Sequence, residues 1–235
     1  MTTISSTAPA NAAPGSTTGG PALDLVDTML AEAGRALQVL SGAVRAARPN
    51  PAGPRPVEGG LDSSLDADQR RHAAGLMRVN HVGEICAQAL YRGQALLCRD
   101  ATIRNVLYRA ADEEVDHLAW CNERLSELDS RASVFNPLWY AGAFSLGVIA
   151  ARAGTPYNLG FMAETERQVE QHLDGHLETL PAGDTRSRDI VRQMRDDEIQ
   201  HRLTAEDHGA HALPAPVKLA MRFMSKVMTT TAYRL

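Results

Sequence analysis

The sequence predicts an all-α fold, a four-helix bundle with one long crossover connection. From about Asp66 onward, apolar residues recur with a period near 3.6, and no run alternates apolar and polar residues as a strand would. The connections between the four main helical segments are short, long and short. At 235 residues the chain can form one substantial core, so a single bundle domain is expected.

The N-terminal part of the chain is predicted to lie outside the bundle. Residues 1–20 are rich in Ala, Pro, Ser, Thr and Gly and are expected to be a disordered tail. Helical spacing runs from Ala22 to Ala47, after which the segment RPNPAGPRPVEGGLDSS interrupts regular structure. The predicted division is a tail (1–20), an N-terminal helix with a Pro/Gly-rich linker (21–65) and a bundle domain (66–235).

Each of the four bundle helices carries a carboxylate on its apolar stripe. The segments and their inward-facing polar residues are about 67–98 with Glu84, about 101–128 with Glu114 and His117, about 158–180 with Glu166, and about 185–211 with Glu198 and His201. Helices joined by short, long and short connections have the ferritin-like arrangement.

Two further helical segments carry unusual surfaces. FNPLWYAGAFSLGVIAA (135–151) lies in the crossover and is slightly too short to span a bilayer. Its aromatic residues suit docking at a membrane interface: Phe135, Trp139, Tyr140 and Phe144. In the C-terminal segment, Lys218, Arg222 and Lys226 recur every four residues opposite an apolar face, which makes a basic amphipathic helix. The alternative is that both segments are buried helices or an oligomer contact.

The inward carboxylates indicate a metal centre. EVDH and EIQH are Glu-x-x-His units, and residues three apart on a helix project to the same side. Four buried carboxylates repel one another by about 4 kcal/mol per close pair, so they need counter-charge. Two divalent cations would balance them, and a set of four Glu and two His favours Fe or Mn over structural zinc. A single Glu from each of two helices and a Glu-x-x-His from each of the others is the di-iron pattern.

Other residues near the predicted centre are secondary candidates. His172 and His208 are candidates for hydrogen bonds that orient the metal ligands. Tyr91 is a candidate for the cavity wall, with core packing as the alternative. Cys86 and Cys121 are predicted to be small core residues and not ligands.

Several motifs carry a resemblance to a known family: RVNHVGEICAQALYRGQ, EEVDHLAWC, NPLWYAG, AETERQVEQHLDGHL, DDEIQH and VMTTTAYRL. From about Arg70 to Leu235 the sequence resembles the demethoxyubiquinone hydroxylases in their bacterial form, the membrane-bound di-iron monooxygenases of ubiquinone biosynthesis. The resemblance implies iron ligands at Glu84, Glu114, His117, Glu166, Glu198 and His201.

The same resemblance implies hydroxylation of the ring of a 3-demethoxyubiquinol with O2, with electrons from NADH or from the quinol itself. It further implies a polyprenyl quinol substrate, a peripheral position on the cytoplasmic face of the bacterial inner membrane, and partners among the ubiquinone-biosynthesis proteins.

Two other functions are consistent with buried acids in a helical bundle. An iron-storage or ferroxidase bundle would need a soluble, cage-forming exterior, which the Trp139 segment disfavours. A non-enzymatic lipid-binding scaffold would hold no metal. The net charge of −4 and the absence of a long basic run argue against nucleic acid as a partner. Three cysteines without a C-x-x-C motif favour a reducing compartment.

Overall fold

The computed structural model of the protein describes residues 25–55 and 65–235, and all regular structure within these ranges is helical. The helices are α1 (Leu25–Leu40), α2 (Ala67–Leu96), α3 (Ala101–Glu127), α4 (Asn136–Ala151), α5 (Thr155–Thr179), α6 (Thr185–Asp207) and α7 (Ala215–Arg234). The predicted all-α bundle with one crossover is confirmed. The predicted tail (1–20) lies outside the described residues, and the division of the chain into three parts stays a prediction.

Helices α2, α3, α5 and α6 form the bundle, and α4 lies in the crossover. The connections 97–100 and 180–184 are short because capping residues end one helix and begin the next within a few positions. Asp66 and Gln69 form a capping box at the start of α2. The Asp100 carboxylate accepts hydrogen bonds from the first free backbone N–H groups of α3.

Two apolar clusters fill the bundle, and the inward carboxylates lie between them. The first cluster includes Met77, Trp120, Leu173 and Met194. The second includes Leu90, Leu107, Met162 and Ala205. Along every bundle helix the predicted metal ligands fall between a residue of one cluster and a residue of the other. The polar site is therefore enclosed by apolar packing at both ends, which limits its access to water.

Helix α4 packs closely along α2 because glycines occupy the contact. A Cβ atom on Gly147 would lie 2.1 Å from the carbonyl oxygen of Leu90, and a Cβ atom on Gly93 would lie 2.3 Å from that of Phe144. Only hydrogen fits at either position, so the two backbones touch.

This packing corrects one expectation about the crossover segment. Tyr140 is 6% exposed and packs against Val39 of α1, and Trp139 and Phe144 are partly buried. Of the four aromatic residues predicted to dock on a membrane, only Phe135 is exposed. The glycine contact turns the other three toward the protein, and the exposed apolar side chains of α4 are aliphatic, among them Leu138 and Ile149.

Helix α7 lies over α2 and is attached mainly near its C-terminal end. Ala232 is its only buried residue, and the Arg78 guanidinium donates hydrogen bonds to the carbonyl oxygens of Ala232 and Tyr233. Near the other end, the Lys218 ammonium lies 3.6 Å from the Glu164 carboxylate. Within the described part of the chain, no helix is both long and apolar enough to cross a membrane.

The N-terminal segment packs on the bundle. Helix α1 ends at Leu40, not at Ala47 as its periodicity predicted, because Gly42 adopts a positive φ of 71° and turns the chain. The α1 carboxylate of Glu32 forms a buried ion pair with Arg92 of α2, with Oε2 and Nε 2.6 Å apart. Residues after the turn then cross the surface of α3.

Candidate metal centre

The structure brings all six predicted ligands together in two overlapping groups. Within each group the candidate ligand atoms lie within 4.8 Å of one another, and all six residues are buried. One group consists of Glu84, Glu114, His117 and Glu198, and the other of Glu114, Glu166, Glu198 and His201. Because Glu114 and Glu198 belong to both groups, the arrangement suits two adjacent cations with these two carboxylates shared between them.

His117 and His201 both turn their Nδ1 atom toward the glutamates of the candidate metal centre. His117 Nδ1 lies 2.9 Å from Glu114 Oε2 and 3.3 Å from Glu198 Oε1, whereas its Nε2 lies 2.9 Å from Asp197 Oδ2. The Asp197 carboxylate can only accept a hydrogen bond, so His117 Nε2 carries a proton. Nδ1 is then the nitrogen that would bind a cation, once the proton that it donates to Glu114 is displaced.

His201 has the matching arrangement on the other side. Its Nδ1 lies 3.2 Å from Glu198 Oε2, and its Nε2 lies 2.8 Å from Glu113 Oε2. Glu113 and Asp197 each directly precede a shared glutamate in the chain. The acid on α3 therefore orients the histidine on α6, and the acid on α6 orients the histidine on α3.

Sequence reasoning missed these two acids. Neither lies on the apolar stripe of its helix, although the motifs EEVDH and DDEIQH each place an acid before the Glu-x-x-His unit. One residue before an inward glutamate is about 100° away around the helix, which points the side chain at the neighbouring helix and not at the centre. The two consecutive acidic residues at the start of each motif were the sequence feature that could have predicted this role.

Tyr91 is fully buried and its hydroxyl donates a hydrogen bond to Glu166 Oε1. It contacts a predicted ligand directly, so its role is more specific than cavity wall or core packing. Burial, followed by the charge of Glu166, raises the pKa of Tyr91 well above its ordinary value. The phenol therefore keeps its proton and acts as a donor.

The two histidines proposed to orient ligands do not do so. His208 is exposed and its Nδ1 lies 2.8 Å from the Thr204 carbonyl oxygen, because α6 ends at Asp207 and not near His211. His172 forms no hydrogen bond with any of the six ligands among the described residues. Its ring contacts that of His176 at an interplanar angle of 59°, with centroids 3.9 Å apart, and it lines a cavity.

The electrostatics of the protein atoms alone favour uptake of positive charge. Burial raises the pKa of Glu84 and of Glu166 well above the ordinary value, and the charges of neighbouring glutamates add to the rise. Burial opposes ionisation of Glu114 too, but hydrogen bonds from His117 and His201 outweigh it and hold its pKa below the ordinary value. When no cation is bound, protons on the carboxyl groups and imidazoles offset the negative charge of the buried acids.

The unsatisfied atoms fit bound cations. Glu114 Oε1, Glu166 Oε2 and Glu198 Oε1 are buried and have no hydrogen-bond partner among the described residues. Buried acceptor oxygens without donors are costly unless a cation binds them. The buried cluster can hold a metal ion, and its mixture of carboxylate and imidazole is compatible with iron.

The cysteines do not compete for that role. Cys121 belongs to the first apolar cluster, and Cys86 lies in the cavity wall. Burial raises the pKa of Cys86 to about 12 and that of Cys121 well above its ordinary value, so both thiols stay protonated. Thiols in this state are poor metal ligands.

A mostly apolar cavity of about 680 Å³ reaches the centre from the side of α7. It lies between α2, α4, α5 and α7, and its wall includes the buried ligand Glu84. Its wall also includes Leu138 and Phe223, which are 63% and 70% exposed. The cavity therefore joins an exposed apolar surface to the candidate metal centre.

Comparison with known proteins places this geometry in a family. Residues 71–232 match the family model of the ubiquinone biosynthesis protein COQ7. The chain belongs to this family. The chain is 65% identical to the 3-demethoxyubiquinol 3-hydroxylase of Bordetella parapertussis over 209 residues. This alignment covers 88% of this chain and 92% of the relative. Its identity to the enzyme of that name from Ralstonia pickettii is 58% over 218 residues, covering 90% of this chain and all of the relative.

The COQ7 match confirms the family predicted from the sequence motifs. The match begins at residue 71, so α1 and the segment up to residue 55 precede it. The six predicted ligands and the cavity lie inside it.

Proposed function

We propose that the protein hydroxylates the aromatic ring of 3-demethoxyubiquinol with O2 at a centre of two iron ions. The observation that carries this proposal is the apolar cavity that joins the exposed surface near α7 to Glu84 of the candidate metal centre. A storage protein has no need of an apolar path to its iron. The shared name of the relatives and membership of the COQ7 family support the same enzyme class.

In this proposal the six predicted residues bind the iron ions. Glu84 and His117 would hold one iron ion, Glu166 and His201 would hold the other, and Glu114 and Glu198, which belong to both groups, would contribute to both. Two bound iron ions supply the redox chemistry that activates dioxygen. One oxygen atom enters the ring and the other leaves as water, with two electrons and two protons from a reductant.

The chain's own residues control protons and water around this chemistry. Asp197 and Glu113 keep the histidine rings oriented, and the Tyr91 hydroxyl holds a proton beside Glu166. The apolar walls exclude water from the reacting ring, which protects the oxidant from side reactions. His172 contributes to the cavity wall a buried Nε2 atom that has no hydrogen-bond partner among the described residues, and there it can meet a ring oxygen of the quinol.

We further propose that the surface around the cavity opening docks on the membrane. Its exposed apolar residues come from α4 and α7: Leu138, Val217, Phe223, Met224 and Val227. Arg222 and Lys226 on α7 are exposed and suit anionic headgroups. A polyprenyl quinol could then enter from the bilayer without crossing water. The proposed location is the cytoplasmic face of the inner membrane, and the proposed partners are other ubiquinone-biosynthesis proteins.

Vesicle binding tests the docking proposal. Phe223→Asp should release the protein from vesicles that contain anionic lipid, whereas Leu203→Asp, which changes an equally apolar and 39% exposed residue on α6, should not. Equal binding of both variants would contradict the assigned surface.

The activity is tested with iron-loaded protein, a short-tailed demethoxyubiquinol and isotopically labelled dioxygen. Mass spectrometry should find one labelled oxygen on the ring. Omitting NADH in one reaction decides whether NADH or the quinol provides electrons. If iron is bound and O2 is consumed while the quinol stays unchanged, the hydroxylase proposal fails for this substrate and a ferroxidase function gains support.

A further inference from the structure

We propose that Arg48 is a positioning residue that holds His117 through Asp197 and makes the two halves of the metal centre inequivalent. This inference rests on the proposed metal centre. Arg48 lies in the segment before α2, outside residues 71–232 that match the family model. No hydrophobic periodicity points to Arg48, because it stands in an Arg/Pro-rich stretch.

The Arg48 guanidinium joins two carboxylates on different helices. Its Nε donates to Asp116 Oδ2 of α3 at 2.7 Å, and its Nη2 lies 2.8 Å from Asp197 Oδ2 of α6. The same Nη2 atom is 3.5 Å from His117 Nε2, and the guanidinium lies 4.9 Å from the centre of the Trp120 ring. Only a planar group with several fixed donors can make these contacts together.

The backbone around Arg48 is fixed on both sides. The Ala47 N–H donates to Asp116 Oδ1 at 2.6 Å, and the Asn50 side-chain amide donates to Glu123 at 2.9 Å. Because the chain is tied to α3 before and after Arg48, its guanidinium is directed at Asp197 with little freedom left to lose.

The other half of the centre has no equivalent support among the described residues. Asp197 is held by Arg48 and by the Gln193 amide at 3.0 Å, and its side chain is 15% exposed. Glu113 has a side chain that is 50% exposed, and its only ion pair in the described part of the chain is with His201. The acid behind His117 is thus held by two further side chains, whereas the acid behind His201 is half-exposed and has no ion pair other than His201 among the described residues.

A ligand whose orientation is fixed before binding loses less conformational entropy when the metal binds. The group containing Glu84 and His117 should therefore bind the first cation, and the group containing Glu166 and His201 should bind the second more weakly. Removing Arg48 should weaken the first site and bring the two affinities together.

Anaerobic titration with Fe²⁺ tests this, followed by calorimetry and by near-infrared magnetic circular dichroism. Arg48→Met keeps an unbranched apolar stem and removes the guanidinium donors. We expect two Fe²⁺ per chain in both proteins, with the tighter affinity falling by about 10-fold or more in the variant and the weaker one unchanged. A lysine at this position reaches only one carboxylate at a time, so the tighter Fe²⁺ affinity of Arg48→Lys should lie between those of the unaltered protein and Arg48→Met.

Asn50→Ala is the matched control, since it removes one contact of the same segment and leaves the Ala47 contact and those of the Arg48 guanidinium in place, so it should weaken the tighter site less than Arg48→Met does. If Arg48→Met binds both ions as the unaltered protein does, or if Asn50→Ala weakens the tighter site equally, Arg48 has no positioning role. If the unaltered protein binds no Fe²⁺, the metal centre itself fails, and that result is distinct from loss of one site in the variant.

Discussion

The buried carboxylates should make the metal-free protein less stable as the pH rises, and Glu84→Gln should relieve this. Glu84 is 2% exposed, and burial together with neighbouring acids raises its pKa well above its ordinary value of 4.5. Between the unfolded and folded pKa values the folded protein binds more protons than the unfolded chain. Stability is therefore lost as the pH rises through that window. A glutamine carries no such penalty because it does not ionise.

The size of the gain follows from the pH. If the Glu84 carboxyl stays protonated in the folded protein at pH 7, keeping it so costs about 1.4 kcal/mol for each pH unit above 4.5, or about 3 kcal/mol in total. For a chain of this size that corresponds to a rise of about 6–12 °C in the Tm of Glu84→Gln at pH 7. At pH 5 the gain should be less than about 1 kcal/mol.

Thermal unfolding of chelator-treated protein at pH 5 and pH 7 measures this difference. Glu164→Gln is the control: Glu164 is 5% exposed, but hydrogen bonds from Arg167 and Gln168 and the charge of Lys218 hold its pKa below the ordinary value. The Glu164→Gln substitution should destabilise the protein by about 1–3 kcal/mol because it breaks charged hydrogen bonds. A Glu84→Gln protein no more stable than the unaltered one at pH 7, or a gain equal at both pH values, would refute the reasoning.

Three further outcomes are expected. Gly147→Ala should destabilise the protein by about 1–3 kcal/mol through contact with the Leu90 carbonyl. Gly142→Ala in the same helix meets nothing within 4 Å and should be neutral or stabilising in the same unfolding assay. Tyr91→Phe should lower iron affinity or turnover by about 10-fold because Glu166 loses a donor, as Fe²⁺ titration and product analysis would report. Apparent Fe²⁺ affinity should rise with pH, because binding displaces protons from acids and imidazoles; a flat pH profile in calorimetry would contradict this.

The sequence was most informative where a residue's position on a helix determined its surroundings. Glu84 and Glu166 could be placed in the core because they interrupt apolar stripes, and Glu-x-x-His spacing aligned each histidine with a glutamate. Their convergence follows from the bundle connectivity. Their role as iron ligands stays a prediction that the buried cluster supports.

The features that the sequence did not reveal depend on contacts between segments far apart in the chain. Arg48 meets Asp197 across about 150 positions, and no local pattern encodes that contact. His208 was misplaced because the end of α6 depends on Gly209, whose φ is 90°. The direction of Tyr140 depends on a glycine of α2 that lets two backbones meet. Hydrophobic periodicity shows which face is buried, but it does not identify the neighbour.

The cavity has one rigid wall and one that can move. Glycine contacts between backbones fix α4 to α2, so that side cannot separate without losing a continuous interface. Helix α7 is attached near Lys218 at one end and near Ala232 at the other, and its middle contributes no fully buried residue. Binding of a larger ligand in the cavity should therefore bend the part of α7 between these attachments. The geometry of the predicted iron ligands need not change when α7 bends.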